Sequence, residues 1–492
     1  MSDAPPATHY LVPAIAALCA VLAVAQLGVV PPLRHAWALN LWQYLPTPFT
    51  FGLAVLTLAL GWPALRVALL RRLPSGVATA VFPESVAGGG GFVAGTAVVL
   101  WLLRERRMYG DSDILLYNAA TGSAFLFPDI GATFVFQLCQ RLAGALGVSG
   151  PAVVQVAVAL AGGATVYCFA RVARLLAPTP PRALLFLLLV LGGGVLRVLA
   201  GHVEVYAFVL LCAGAYFWSA IACLQGRCRS RWVALAFGAG LWMHLSFSFL
   251  APSLLAVLLL APAKTAGGAS LPRRVLTATL VGAAPIAAFL LLMLLCGHTA
   301  ELAQALETLR RWGGIEPSPV GHEAFLRGPF AASGAGTRYA ILSAGHVKYL
   351  ANAFFLLAPA ALPILAVLLA VAPRRFLATH EAIFLTVAAL FMLLYALVVR
   401  PVWGPYDWDL FSLTAVALAA LAAYLLLQSL DDPPLTELGV LLVGATLLLI
   451  TIPFLAVGIA PARSAGPFAY GISAEAGESP IDTFERQLGP WL

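Results

Sequence analysis

The sequence predicts an all-α protein that crosses a membrane many times, and three observations carry that prediction. Hydrophobic residues make up 61% of the 492-residue chain and charged residues only 10%, with a mean hydropathy of +0.94. A soluble fold of this size needs far more polar surface to cover its core. The apolar residues fall in runs, most of them near the ~20 residues that a helix needs to cross a bilayer. Short clusters of Lys and Arg punctuate those runs, as they do in polytopic membrane proteins.

Taken in order, the apolar windows give about thirteen candidate spans, near 10–33, 49–70, 86–103, 151–170, 183–199, 205–223, 233–246, 248–262, 275–297, 347–371, 381–399, 411–429 and 437–459. The first lacks the small-residue cleavage pattern of a removed signal peptide and is read as a retained span. Residues 233–262 admit two readings, one long helix or a hairpin of two short ones. Charge decides between them. Arg66/Arg71/Arg72, Arg171/Arg174/Arg182, Arg227/Arg229/Arg231, Lys264/Arg273/Arg274 and Arg374/Arg375 hold half of the 28 Lys and Arg residues. With a hairpin, all five clusters fall on one side, which the excess of positive charge marks as cytoplasmic. With a single helix, the last two clusters land opposite the first three. The hairpin is therefore expected, with the N-terminus inside.

That arrangement places 15 of the 21 Asp and Glu residues on the outer side. It divides the chain into a transmembrane domain at 1–462, with large outer loops at 104–149 and 298–346, and an outer tail at 463–492. The net charge of +7 is explained by this sorting, so no nucleic-acid partner is implied. The seven cysteines form no CxxC pair and sit mostly in apolar runs, which argues against a disulfide framework or a thiolate metal site. No phosphate-binding loop is present: GGGG at 88–91 opens a span and precedes no lysine.

Candidate chemistry collects at the outer span ends. "GDSD" at 110–113 carries Asp111 and Asp113 just after Arg104, Glu105, Arg106 and Arg107. Such a stretch also suits a helix N-cap. Beyond it, Ile130, Phe134, Leu138 and Leu142 repeat every four residues, with Gln137, Gln140 and Arg141 off the stripe, which predicts an amphipathic helix in the outer interface. "GHVEVYAF" at 201–208 brings His202 and Glu204 to a span end, where ionisable groups are costly and need a partner or a cavity. His202 and Tyr206 would share a helix face, and Arg197 offers Glu204 a simple salt bridge. His244 marks the turn of the hairpin. The loop 298–346 contributes Arg310, Arg311, His322, Glu323, Arg327 and Arg338. Finally, "RPVWGPYDWDLFS" from Arg400 places Asp407 and Asp409 on either side of Trp408, directly before a span.

Many spans, an outer loop with a D-x-D pair, an amphipathic helix after it, and outer His and Arg groups together resemble the GT-C superfamily, integral-membrane glycosyltransferases that use polyprenyl-phosphate-linked sugars. The likeness runs over about 86–430 by architecture and over Gly110–Asp113 by motif; here the acidic loop follows the third span, where the family has it after the first. The resemblance implies a sugar transfer of inverting type on the outer face of a bacterial inner membrane, to a lipid, glycan or protein acceptor. It implies Asp111 as general base and Asp113 as an acceptor or metal ligand, with Mg²⁺ or Mn²⁺ as the candidate ion. Arg106, Arg107, His244, Arg338 and Arg400 are then candidates to offset charge on the departing phosphate, with His202, Glu204, Asp407 and Asp409 completing the substrate site. Two other classes fit the composition: a transporter or flippase of envelope precursors, and an assembly subunit that docks through the tail.

Overall fold

In a computed structural model, the chain forms a bundle of helices; residues 8–27, 37–39, 41–72, 82, 85–105, 112–121, 129–262, 270–295, 297, 299–300, 302–303, 343–399, 408–429 and 432–459 are described. No strand occurs among them. The helices are α1 (Thr8–Gln26), α2 (Thr47–Leu60), α3 (Pro63–Arg72), α4 (Val86–Leu102), α5 (Ser112–Thr121), α6 (Ile130–Leu146) and α7 (Gly150–Leu176). There follow α8 (Pro180–Leu191), α9 (Val195–Leu199), α10 (Tyr206–Leu224), α11 (Ser230–Met243), α12 (Ala251–Leu260) and α13 (Leu271–Leu295). The last are α14 (Ala344–Leu357), α15 (Ala361–Val371), α16 (His380–Val398), α17 (Ser412–Ser429), α18 (Asp432–Thr446) and α19 (Ile452–Ile459).

Nearly every predicted span corresponds to helix, but the expected thirteen crossings are not all long enough. Six helical segments qualify by length and composition: α7, α10, α13, α16, α17 and the stretch Glu437–Ile459 that joins α18 to α19 through a π turn. A seventh is the pair α14–α15, bent by 102°. The others stop short for local reasons. Gly61 and Pro63 end α2 after 14 residues, about 21 Å of the roughly 30 Å hydrocarbon layer. The predicted span 183–199 breaks at Gly192–Gly194, where the backbone meets the end of α14: the Gly194 N–H donates to Leu356 O at 2.8 Å, and a side chain at Gly193 would collide with Leu357 O.

Residues 233–262 do fold back on themselves. A straight helix would hold Ala234 and Leu258 about 36 Å apart. Instead they share one small apolar cluster with Ala278, and the rings of Phe237 and Phe247 are 5.9 Å apart. The Tyr216 hydroxyl lies 2.7 Å from Ser253 Oγ, which itself donates to Leu250 O, so α12 is pinned to α10. α13 then packs beside α11, and at Gly238 the helices approach so closely that an added side chain would meet the backbone of Gly282.

The core explains which helices are central. α17 is buried along its whole length from Ser412 to Leu427, its alanines admitting neighbours on every side, and α10 is buried nearly as fully. α13 is the opposite case, with Leu276, Leu280, Leu291 and Leu295 exposed on the isolated chain, as suits a helix bathed in lipid.

Polar groups sort to the two ends of this bundle. At one end Arg182 donates to Leu427 O, Arg375 donates to Gln428 O, and Gln225 donates to Leu175 O, tying together the ends of α7, α8, α10 and α17 and the turn between α15 and α16. Glu105, Asp129, Glu204 and Asp409 occupy the other end, beside the C-terminus of α4 and the N-termini of α6, α10 and α17.

The amphipathic helix expected after the acidic pair is α6, but its buried face differs from the predicted stripe. Ala132, Phe134, Phe136, Cys139 and Ala143 face the protein, together with Gln137. Leu138, Leu142 and Leu146 are exposed. Both faces of α6 are therefore apolar over part of their length, one toward protein and one outward, which a single four-residue repeat cannot express.

Candidate functional site

The site begins where α4 runs out. Trp101 and Arg104 close that helix, the guanidinium stacked 4.0 Å over the indole, and the next residue, Glu105, turns inward with 2% exposure. Its Oε1 lies 2.8 Å from His202 Nδ1 and its Oε2 lies 3.4 Å from Arg197 Nη2. The backbone carbonyl of Glu105 accepts from Gln155 of α7 at 3.1 Å, which fixes the turn.

His202 reaches this carboxylate because the chain turns sharply after α9. Gly201 adopts φ +67°, a left-handed conformation suited to glycine, and a side chain there would strike Arg104 Cβ. The other ring nitrogen, Nε2, lies 3.2 Å from Asp409 Oδ2, at the turn that leads into α17. Carboxylates only accept hydrogen bonds, so an imidazole held between two of them carries a proton on each nitrogen. Burial opposes that charge, but Glu105 and Asp409 outweigh it and raise the His202 pKa to about 9. The same contacts act on Glu105: burial pushes its carboxyl up, and His202 with Arg197 holds it below the ordinary glutamate value.

Aromatic rings wall in this cluster. Trp408 lies 5.2 Å from the His202 ring and packs edge-on against Phe454 at 4.8 Å, while the Arg197 guanidinium sits 4.2 Å over Phe454 and donates to its carbonyl oxygen at 3.2 Å. Rings and aliphatic walls keep water away, and an ion pair in such surroundings is weakly screened.

Glu204 follows two residues after His202, its N–H bonded to the His202 carbonyl oxygen at 2.8 Å. One ligand atom from each of His202, Glu204 and Asp409 lies within 4.8 Å of the others, a nitrogen and two oxygens able to hold a metal. A second group stands beyond Tyr206. His244 Nε2 is 3.0 Å from Asp129 Oδ1, and His244 Nδ1 accepts the Ser246 backbone N–H at 2.9 Å. Nδ1 is thus taken up by the backbone, while Nε2 lies against the Asp129 carboxylate without the alignment of a hydrogen bond. The Tyr206 ring is 5.5 Å from His244, and Asp409, Asp129 and Glu204 all lie within electrostatic reach of its hydroxyl. Tyr206 thus stands between the two groups.

Four expected site residues, His202, Glu204, His244 and Asp409, are gathered at this end of the bundle. His202 and Tyr206 do not share a helix face: α10 starts at Tyr206 and His202 lies in the turn before it. Arg197, which the spacing offers to Glu204, pairs with Glu105. Asp113 lies in the first turn of α5, whose Ser112, Leu115 and Leu116 are buried. Arg106, Arg107, Asp111, Arg338, Arg400 and Asp407 lie outside the described residues, as do the tail and nearly all of the loop 298–346. Glu105 and Asp129 were not picked out by sequence. A single acid among three arginines reads as locally neutralised, and Asp129 reads as an ordinary residue before a helix. The available signal for Glu105 was its position directly after an apolar run.

No known family model matches this chain, and no curated protein is measurably similar to it in sequence.

Proposed function

We propose that this protein is a membrane-embedded glycosyltransferase that moves a sugar from a polyprenyl-phosphate donor to an acceptor at the acidic end of the bundle. The observation that supports this best is the convergence of Glu105, His202, Glu204 and Asp409, from three distant parts of an apolar chain, into one buried cluster. Ionisable groups are expensive in such a place and gather where chemistry or transport needs them. Glu105 belongs to this cluster and comes five residues before the "GDSD" motif in sequence, and Ser112 of that motif is buried at the head of α5, which rests on α6 and α7.

In this reading Asp111 accepts the proton of the acceptor hydroxyl as its oxygen attacks C1 of the sugar. The bond from C1 to the phosphate oxygen breaks, and the lipid phosphate leaves with the electron pair. Its charge is offset by arginines, with Arg106, Arg107, Arg338 and Arg400 as the candidates. His244 is set aside from that role, because its Nδ1 accepts from the Ser246 N–H and its Nε2 lies 3.0 Å from the Asp129 carboxylate. Asp113 and Asp407 position the acceptor. The exposed leucine row of α6 suits contact with the bilayer from which a lipid-linked donor would enter. The grouping of basic clusters at the opposite end supports an N-terminus on the cytoplasmic side of a bacterial inner membrane.

A second reading, a transporter, draws on one observation: the sharp bend between α14 and α15 and the π turn before α19 are interrupted helices of the kind that line transport sites. One experiment separates the two. Purified protein in liposomes is supplied with polyprenyl-phosphate sugars and an acceptor extract, and products are analysed by mass spectrometry. Covalent transfer with release of polyprenyl phosphate supports the transferase. Movement of an unaltered donor across the bilayer without new glycosidic product points to transport.

A further inference from the structure

We infer that His202, Glu204 and Asp409 form a binding site for a single first-row divalent cation, with Glu105 as the group that orients the histidine. This inference is independent of sugar transfer and stands or falls by metal binding alone.

A histidine that ligates a metal through one nitrogen nearly always donates its other N–H to a carboxylate or carbonyl, which fixes ring and tautomer. His202 has that arrangement: Nδ1 is 2.8 Å from Glu105 Oε1, and Glu105 is in turn held by Arg197 at 3.4 Å. Glu105 meets Nδ1, and Asp409 meets the other ring nitrogen, so Glu105 is placed as a supporting partner of the histidine and not as a ligand. Nε2 then points at Asp409, with 3.2 Å between Nε2 and Oδ2. Two neighbouring ligands on one ion, each bound at about 2.1 Å, are separated by about 3.0–3.4 Å in octahedral or tetrahedral geometry. The observed spacing fits. The third ligand atom, from Glu204, lies within 4.8 Å of the other two, so all three are gathered closely enough to face one ion.

Charge and burial agree with the geometry. The three residues are 1%, 6% and 4% exposed. Two carboxylates and a neutral imidazole around a divalent ion form a neutral inner shell, and Glu105 with Arg197 forms a neutral outer pair. Buried charge is tolerated in this balanced form. The ion takes the place of the Nε2 proton. One nitrogen and two oxygens favour Mn²⁺ or Zn²⁺ over Mg²⁺ and Ca²⁺, which prefer all-oxygen shells. The site differs from the one the acidic loop suggests: it does not use Asp113.

The test uses full-length protein in detergent, stripped with chelator, re-equilibrated with Mn²⁺ or Zn²⁺ and measured for bound metal and affinity. Wild type is expected to bind one ion per chain, with Mn²⁺ or Zn²⁺ at least ten-fold tighter than Mg²⁺. His202→Gln, Glu204→Gln and Asp409→Asn, which preserve volume, should each weaken binding at least ten-fold while eluting as monodisperse protein. Glu105→Gln should weaken it about 10–100-fold without removing a ligand. Pulsed electron paramagnetic resonance of bound Mn²⁺ should show coupling to an imidazole nitrogen that His202→Gln abolishes. Wild type that binds no ion at 100-fold excess overturns the inference and leaves a metal-free ion-pair network. An ion whose affinity is unchanged in all three ligand variants overturns it equally. If a variant fails to fold, the nitrogen coupling in wild-type protein decides alone: its absence from bound Mn²⁺ refutes the site.

Discussion

Replacing Glu105 with Gln tests whether the buried cluster holds the bundle together. The change keeps the shape of the side chain and removes one negative charge from between two buried cations. In wild type Glu105 accepts from His202 at 2.8 Å and pairs with Arg197 at 3.4 Å, with side-chain exposures of 1%, 1% and 3% for the three groups. Each hydrogen bond to a charged group is worth about 1.5–3 kcal/mol, and removing one partner of a buried pair costs about 3–5 kcal/mol. His202 can shed its proton when one carboxylate is lost, which limits the damage. Arg197 cannot, but it keeps the Phe454 carbonyl and the Phe454 ring. The expected loss is therefore about 3 kcal/mol. Arg197→Met should cost a similar amount, because it strands Glu105 with His202 alone. The double variant should lose less than the sum by about 1–3 kcal/mol, since neither member then leaves the other uncompensated. The assay is reversible unfolding in mixed detergent followed by tryptophan fluorescence, with all four proteins measured together. Single losses below about 0.5 kcal/mol, or strict additivity, would refute the claim that these charges are coupled in a dry site.

Other predictions follow from packing and placement. Gly238→Val should destabilise by about 1–3 kcal/mol through collision with the Gly282 backbone, whereas Gly90→Val, which meets open space, should change stability little; thermal melting in detergent compares them. Tyr216→Phe should cost about 1 kcal/mol by removing the hydroxyl held at 2.7 Å from Ser253 Oγ, and Ser253→Ala combined with it should add little more, as a double-mutant cycle would show. A membrane-impermeant thiol reagent should reach Cys228, which is partly exposed at the end bearing the basic clusters, only from the cytoplasmic side; labelling in intact cells from outside would reverse the proposed orientation.

Much of the helical architecture could be read from sequence because bilayer-length apolar runs leave few alternatives. The hairpin at 233–262 is the clearest case: local hydropathy was ambiguous, and the placement of basic clusters decided for the fold that Phe237 and Phe247 then display. Span length was less legible. Gly192–Gly194 sits inside an apolar run, and only its approach to α14 reveals why the helix stops there. The site was half legible. His202, Glu204, His244 and Asp409 stood out because each is ionisable at the edge of an apolar run. Their pairing did not, because Glu105 and Asp409 are separated from His202 by 97 and 207 positions and meet only through tertiary packing. Asp129 was hidden for the same reason, its partner His244 lying at the turn of the hairpin.

The central claim is that Asp111 serves as the general base of a sugar transfer, and it is tested most directly by Asp111→Asn in the liposome assay with a polyprenyl-phosphate sugar. Asn preserves shape and capping ability, so a purely structural Asp111 would survive the change. A general base contributes about 10²–10⁴-fold to rate. A loss of that size in turnover is expected, with unchanged expression, thermal stability and donor binding. Full activity in Asp111→Asn would contradict it.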